Sequence, residues 1–379
     1  MARVMVSCGE PSGDLYAGAL ARALREIEPA TEVFGLGGEH LAGAGARLSG
    51  DYRGISVTGL VEVVRLLPRT YALYRRLVQA AREARPDVFV AIDFPDFNFR
   101  LAAAMRRLGI PVVYYIGPQL WAWRPGRLRT MKRLAHQVLV IFPFEVAIYE
   151  QAGVPVQFVG HPLVELTPRL GPPPEVRSSL GLAAGDPTVA LLPGSRPNEV
   201  RLLLPVLLEA AARLAASRPD LQFVLARAPG LDDALFEPVA RAQAAGLRLV
   251  AVASQADAAL AASDVVVTAS GTATVQTAIH GKPMVIVYRL SPLTYTLGIR
   301  FVKVDTYGMV NLVAGRRIVP ELIQDACTPE AVAAETGRLL GDGAARAAVV
   351  AGLEEVQARL GGPGASRRAA EAVLRVARL

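Results

Sequence analysis

The sequence predicts an α/β protein made of two doubly wound, Rossmann-like domains, and three observations predict it. Short, continuous runs of β-branched and other apolar residues alternate with alanine- and leucine-rich helical stretches in both halves of the chain, the pattern of parallel strands covered on both faces. A proline-rich stretch without periodicity, TPRLGPPPEV from Thr167, separates the two halves as a linker. Of 379 residues, 52% are hydrophobic and 20% charged, enough apolar material for two cores of ordinary size.

Taken in order, RVMVSC is the first strand and a helix follows from about Ser12 to Glu28. EVFGL is a second strand and PDVFVAID a third, followed by a helix from Asp96 to Leu108; PVVYYIG and HQVLVIF complete the first half. Beyond the linker, PTVALLPGSR is a strand entering a loop, with a long helix from Asn198 to about Ser217 behind it. LQFVLAR, LRLVAV, SDVVVTAS and PMVIVYR follow as strands with helices between them. From Pro329 the chain is mostly helical, and the glycine-rich GGPGAS isolates a last helix. The expected divisions are residues 1–166, residues 167–360 and a final helical segment, 361–379. Ligands of such sheets sit beyond the C-terminal ends of the strands, so chemistry is expected in the loops that follow them.

Composition excludes several function classes. No run of about 20 apolar residues is present, so a membrane-spanning helix is not expected. The apolar stretch at the start is too short for a secretory signal, and a cytoplasmic protein is expected. Cys8 and Cys327 fit no metal spacing and read as free thiols, and His40, His136, His161 and His280 form no ligand pattern, so neither a metal nor a cofactor is expected. A formal charge of +7 and a pI near 9.7 suit anionic partners: nucleic acid, phosphorylated metabolites or anionic lipid headgroups. No zinc knuckle or RNA-binding signature accompanies the charge, which disfavours nucleic acid.

Several loops carry chemistry. LLPGSRPNEV sets Gly194, Ser195 and Arg196 between a strand and a helix. Glycine permits close backbone approach, the helix N-terminus offers N–H groups, and Arg196 adds a cation for phosphate; the ordinary alternative is a helix cap beside a surface arginine. VVVTASGTATVQTAI opens a helix with Ser270, Gly271 and Thr272, and Gln276, four residues on, shares a helix face with Thr272. From there Gln276 could reach past a phosphate to a sugar hydroxyl; simple capping by Ser270 or Thr272 is the alternative. Two such loops in one domain favour a nucleoside diphosphate, while the absence of GxxxxGK[ST] and of GxGxxG after the first strand argues against P-loop and NAD enzymes.

In the first domain, AIDFPDFNF puts Asp93 at the end of a strand as a candidate general base, with Asp96 as a helix cap and Asn98 as a ligand-orienting or capping side chain. SCGEPSGDL ends the first strand: Ser12 can cap the helix, Asp14 falls in its first turn as a structural residue, and Glu10 is left without a structural task. In GPQLWAWRPGRLRTMKR, Trp121, Trp123 and Arg124 suit a membrane interface or a phosphorylated acceptor, or else a buried tryptophan pair beside a basic helix. VTGLVEVVRLLPRTYALYRRL, with Arg65, Arg69, Arg75 and Arg76, fits a helix lying on a membrane surface or an ordinary amphipathic helix, and Pro68 is expected to interrupt it.

GEPSGDLYAGAL, IDFPDFN, GPQLWAWRPGR, the GHP at Gly160–Pro162, LPGSRPNEV, ASGTATVQTA, VYRLSPLTY and NLVAGRR occur in one order from about Val4 to the Cys327 region, and together closely resemble the bacterial lipid-A-disaccharide synthase family. The resemblance implies an inverting, metal-independent glycosyltransferase of the GT-B fold, with two Rossmann-like domains facing across a cleft and a C-terminal helix crossing back to the first. It implies transfer of 2,3-diacylglucosamine from its UDP derivative to 2,3-diacylglucosamine 1-phosphate through a β-1,6 bond, releasing UDP. Peripheral association with the inner face of the cytoplasmic membrane is implied, and some members form dimers with exchanged C-terminal segments, which makes a homodimer an expectation. By motif, Asp93 becomes the base, with Glu10 and Ser12 contacting substrate. Gly194, Ser195, Arg196, Ser270, Gly271 and Thr272 meet the diphosphate; Asn311 faces the donor and Arg316 supports it. Many members have glutamate, which binds the ribose hydroxyls, where this chain has Gln276. That departure bears on donor affinity and donor choice. Two alternatives stand beside the synthase: a GT-B transferase with another lipid acceptor or an N-acetylglucosamine donor, which would share the UDP loops, and a weakened UDP-sugar or glycolipid binding protein, to which Gln276 alone points.

Overall fold

Apolar runs in the first half assemble into a seven-stranded, all-parallel sheet. Its strands are β1 (Arg3–Ser7), β2 (Glu32–Gly37), β3 (Arg47–Asp51), β4 (Val88–Ile92), β5 (Val112–Tyr115), β6 (Gln137–Val140) and β7 (Val156–Phe158), in the order β3-β2-β1-β4-β5-β6-β7. The computed structural model describes residues 1–54, 60–118, 126–290 and 306–379, and within them the chain forms two units: Met1–Glu165 with Leu360–Leu379, and Leu166–Arg359.

Helices α1 (Pro11–Ile27), α2 (Glu39–Gly43), α3 (Leu60–Ala84), α4 (Pro95–Arg107), α5 (Arg127–Leu134), α6 (Phe144–Gln151) and α7 (Leu163–Leu166) belong to the first half of the chain. β4 is buried at every position, as continuous hydrophobicity requires of a strand with helices on both faces. One core packs Met5, Phe34, Phe89, Tyr114 and Val138 of the sheet against Leu77 of α3 and Leu101 and Met105 of α4. Removing one such leucine down to alanine would cost about 2–5 kcal/mol. β3 and β7 were not expected from the sequence: RLSGD is polar and only partly buried, and VQF is three residues long.

Helix α3 runs through Pro68 without a break, against the expectation of an interruption. Pro68 and its neighbours Leu67 and Arg69 are exposed, so water can serve the carbonyl that loses its helical partner.

The second unit repeats the plan. Strands β8 (Thr188–Leu192), β9 (Gln222–Arg227), β10 (Leu249–Ala253), β11 (Val265–Ala269), β12 (Met284–Tyr288) and β13 (Glu321–Ile323) form a parallel sheet in the order β10-β9-β8-β11-β12-β13. Its helices are α8 (Pro173–Ser179), α9 (Pro197–Ser217), α10 (Glu237–Ala244), α11 (Ala256–Ala262), α12 (Thr272–Ile279), α13 (Met309–Ala314), α14 (Pro329–Gly341) and α15 (Gly343–Arg359).

A last helix, α16 (Ala365–Ala377), returns to the first unit and packs on α1, β4 and β5. Its buried face is Ala369, Ala370, Val373 and Leu374, small and branched residues that let two helices approach closely. Glu165 caps its start, accepting from Gly364 N at 2.5 Å and Ser366 N at 2.9 Å, where a carboxylate also meets the positive end of the helix dipole.

Both sheets therefore have one topological switch point. The first unit winds outward from β1 to β3 and restarts at β4 on the other side of β1; the second winds outward from β8 to β10 and restarts at β11 beside β8. Loops leaving the two strands at such a point diverge and leave a crevice for ligand.

Candidate active site

In the first unit the switch point lies between β1 and β4, which pair with Ser7 opposite Ala91. The loop after β4 holds two consecutive left-handed residues, Asp93 (φ 44°) and Phe94 (φ 49°). For residues other than glycine this costs about 1–3 kcal/mol each and persists only where the surroundings enforce it. Asn98 enforces it. Its Nδ2 donates to the carbonyls of Asp93 (2.8 Å), Ser7 (3.1 Å) and Ile92 (3.2 Å), and its Oδ1 accepts from Ser7 Oγ at 2.7 Å. Tyr114 OH donates to the same Asp93 carbonyl at 2.8 Å. Asn98 is fully buried, so it neither orients a ligand nor caps α4; it clamps the turn that carries Asp93.

The Asp93 side chain is half-buried at the end of the strand. Its charge, after burial itself, helps to hold the phenols of Tyr16 and Tyr114 above their ordinary pKa, and acts on Tyr149 in the same direction after burial and Glu145. These tyrosines stay protonated around the carboxylate and keep their hydroxyls as donors.

Glu10 stands on the neighbouring loop. A Cβ on Gly9 would collide with the ring of Phe94, so only glycine lets the β1 loop press against the Asp93 turn. Glu10 is the N-cap of α1 in extended conformation, half-buried, and its carbonyl accepts from Asp14 N at 2.9 Å. The cap expected of Ser12 is therefore not formed: Ser12 is the second residue of the helix. Asp14 is structural, as read, through a longer reach; its buried carboxylate accepts from Gly38 N (2.6 Å), His40 N (2.9 Å) and Leu41 N (3.2 Å) at the start of α2. Asp96 does not cap α4, whose N-cap is Phe94; it pairs with Arg127 at 2.5 Å. Trp121, Trp123 and Arg124 lie outside the described residues.

In the second unit the loops after β8 and β11 flank the switch point. Gly194 has φ 116°, and a Cβ there would lie 2.5 Å from Glu199 Oε2. Glu199, in the first turn of α9, accepts from Ser195 N (3.1 Å) and Arg196 N (3.3 Å), and its other oxygen is 3.6 Å from Arg196 Nη1. The backbone donors expected to meet a diphosphate here are thus held by Glu199, whose place three residues after the N-cap is the sequence signal of a capping carboxylate. Ser195 and Arg196 side chains are exposed beside it.

After β11, Ser270 Oγ donates to the carbonyl of Tyr307 at 3.1 Å, which fixes the loop. Gly271 adopts φ 155°, ψ −158°, a region open in practice only to glycine, and swings the chain into α12. No side chain caps that helix, and Thr272, its first residue, is exposed. Gln276, one turn on, donates from Nε2 to Asp257 Oδ1 at 2.7 Å.

Two expectations fail here. Asn311 is buried: its Nδ2 donates to Glu321 Oε1 (2.7 Å) and the Val319 carbonyl (3.0 Å), and its Oδ1 accepts from Ile318 N (2.7 Å) and Val319 N (3.0 Å). With all four positions filled, it brackets the segment after α13 instead of facing a donor. Arg316 pairs with Glu355 of α15 at 2.7 and 2.8 Å and gives Asn311 no support. Among the described residues no group of three or more His, Cys, Asp or Glu side chains could hold a metal ion, and both cysteines are free and buried.

With this geometry in view, a model of the family described as lipid-A-disaccharide synthetase matches residues 4–375. The chain is 45% identical to the lipid-A-disaccharide synthase of Myxococcus xanthus over 372 residues, covering 98% of this chain and 97% of that one. It is 46% identical to that of Anaeromyxobacter dehalogenans over 376 residues (99% and 98%), and 43% identical to that of Geobacter sulfurreducens over 373 residues (98% and 96%). Solved structures share the fold at low identity. The UDP-GlcNAc 2-epimerase of Neisseria meningitidis bound to UDP-GlcNAc aligns with a TM-score of 0.68 at 12% identity, over 98% of this chain and 99% of that one. Anabaena HepE in complex with UDP and glucose aligns with a TM-score of 0.62 at 17% identity, over 99% of each. Two parallel, doubly wound sheets and these neighbours make the fold GT-B.

Proposed function

The chain belongs to the lipid-A-disaccharide synthase family and is a glycosyltransferase; from that premise we propose that it moves 2,3-diacylglucosamine from UDP-2,3-diacylglucosamine to the 6-hydroxyl of 2,3-diacylglucosamine 1-phosphate. The observation that best supports a catalytic role for the first unit is the strained, clamped turn that displays Asp93 at the switch point.

A sugar hydroxyl is a weak nucleophile at neutral pH. Asp93 takes its proton as the oxygen attacks the anomeric carbon, a contribution of roughly 10²- to 10⁴-fold. The new O6–C1 bond forms as the C1–O bond to the diphosphate breaks, and a single displacement inverts the anomeric centre. Glu10, on the loop pressed against the Asp93 turn, holds sugar hydroxyls. Charge developing on UDP is met by Arg196 and by the uncapped N-terminus of α12 at Gly271–Thr272, both set in place before reaction. No helix among the described residues is long and apolar enough to cross a membrane. Exposed Leu67 and Tyr71 beside Arg69, Arg75 and Arg76 on α3 support peripheral binding to the anionic inner face of the cytoplasmic membrane.

The purified chain, given the diacylated UDP donor and the diacylated 1-phosphate acceptor, should release UDP and disaccharide in equal amounts. Turnover with another lipid acceptor and none with this pair would overturn the assignment.

A further inference from the structure

We infer that Asp257 is a positioning residue for the donor nucleotide: it holds the Gln276 amide in the one orientation that presents an acceptor oxygen to a ribose hydroxyl. The inference rests on the donor role proposed above for the second unit.

Asp257 lies in the first turn of α11, partly buried. Its Oδ1 accepts from Gln276 Nε2 at 2.7 Å and from His280 Nε2 at 2.9 Å; Gln276 is on α12 and His280, one turn further along, is its C-cap. An ionised carboxylate only accepts, so both partners must turn an N–H toward it. An amide whose two ends look alike to neutral surroundings is thereby fixed: Nε2 faces Asp257 and Oε1 faces away. No donor among the described residues meets that Oε1. One turn, about 5.4 Å, separates Gln276 from Thr272 at the helix start. A nucleotide with its diphosphate at the helix start carries its ribose, whose hydroxyls can donate, along that same path.

An unanchored glutamine would offer NH₂ as readily as C=O, and a hydroxyl with its proton to donate would find the wrong partner half the time. Asp257 removes that ambiguity and polarises the amide so that Oε1 accepts more strongly. The pair also explains why glutamine can stand here. A glutamate at 276 would put two carboxylates within hydrogen-bonding distance, where one must take up a proton or turn away. Gln276 with Asp257 is thus one unit, with the negative charge one residue removed from the ligand.

Calorimetric titration with UDP and with 2′,3′-dideoxy-UDP, which lacks both ribose hydroxyls, tests this. The wild-type chain should prefer UDP by roughly fivefold to tenfold, the range of one good hydrogen bond. Asp257→Ala should weaken UDP by a similar factor while leaving the dideoxy nucleotide within about twofold, so that discrimination disappears. Gln276→Glu should weaken UDP roughly tenfold, and Gln276→Glu with Asp257→Asn should restore it to within about twofold, because the introduced amide can donate to the new carboxylate. A merely structural Asp257 would lower the thermal midpoint and weaken both nucleotides together. Gln276→Glu binding UDP as tightly as wild type, or Asp257→Ala keeping its preference for UDP, overturns the inference alone. Failure of the wild-type chain to bind UDP overturns the donor role and this inference with it.

Discussion

Replacing Asn98 with alanine separates a shaped turn from a ligand contact. The substitution removes three bonds given by Nδ2 and one accepted by Oδ1, from a fully buried position. Each is worth about 1 kcal/mol net, and the buried groups of Ser7 and Ile92 lose a partner, while the Asp93 carbonyl keeps Tyr114. Against this, relaxing the left-handed pair at Asp93 and Phe94 returns part of about 1–3 kcal/mol per residue. A net loss of about 2–4 kcal/mol is expected, which lowers the midpoint of a unit of this size by roughly 5–15 °C. Turnover should fall by about 10²-fold, since a carboxylate displaced by an ångström loses that much. Thermal unfolding followed by circular dichroism reads the first effect and steady-state UDP release the second. A midpoint equal to that of wild type, with a raised KM for the acceptor, would refute the reasoning and make Asn98 a ligand contact.

Two further outcomes follow from the first unit. His161 is fully buried between Tyr16 and Phe142, accepts at Nδ1 from Leu163 N at 3.2 Å, and burial pushes its pKa down from 6.5 to about 3. The unfolded chain binds the proton first, so stability is complete above pH 6.5 and falls as pH drops from there toward 3, by about 2 kcal/mol at pH 5; His161→Asn should flatten the midpoint over that range, and an unchanged slope would contradict the neutral buried ring. Leu67→Glu with Tyr71→Glu on α3 should cut co-sedimentation with anionic vesicles severalfold, as should raising salt from 0.1 to about 0.5 M; pelleting unchanged by either would sink the membrane role of that face.

The parallel strands were legible because β4 is an unbroken apolar run and β8 and β11 are apolar but for one threonine each, all buried at every position. β3, β7 and β13 were not, because RLSGD, VQF and ELI are short or polar and gain their strand character only from a paired neighbour. Pro68 misled for a related reason: local propensity weighs the lost bond and cannot see that the site faces water. The candidate loops were found by their place after strands. What their side chains do was not, because it depends on partners far along the chain. Asn98 meets Ser7, Asp14 meets Gly38, and Asn311 meets Glu321. Spacing marks a polar residue as interesting, but it does not say whether its valences are already filled.

The most direct test of the account is to follow Asp93→Asn beside the wild type for UDP affinity and for the rate of UDP release with donor and acceptor present. A base on the clamped turn predicts that UDP binds within about twofold of wild type while the rate falls by roughly 10²- to 10⁴-fold. Retained turnover, or a collapse of UDP binding with the rate, would contradict it.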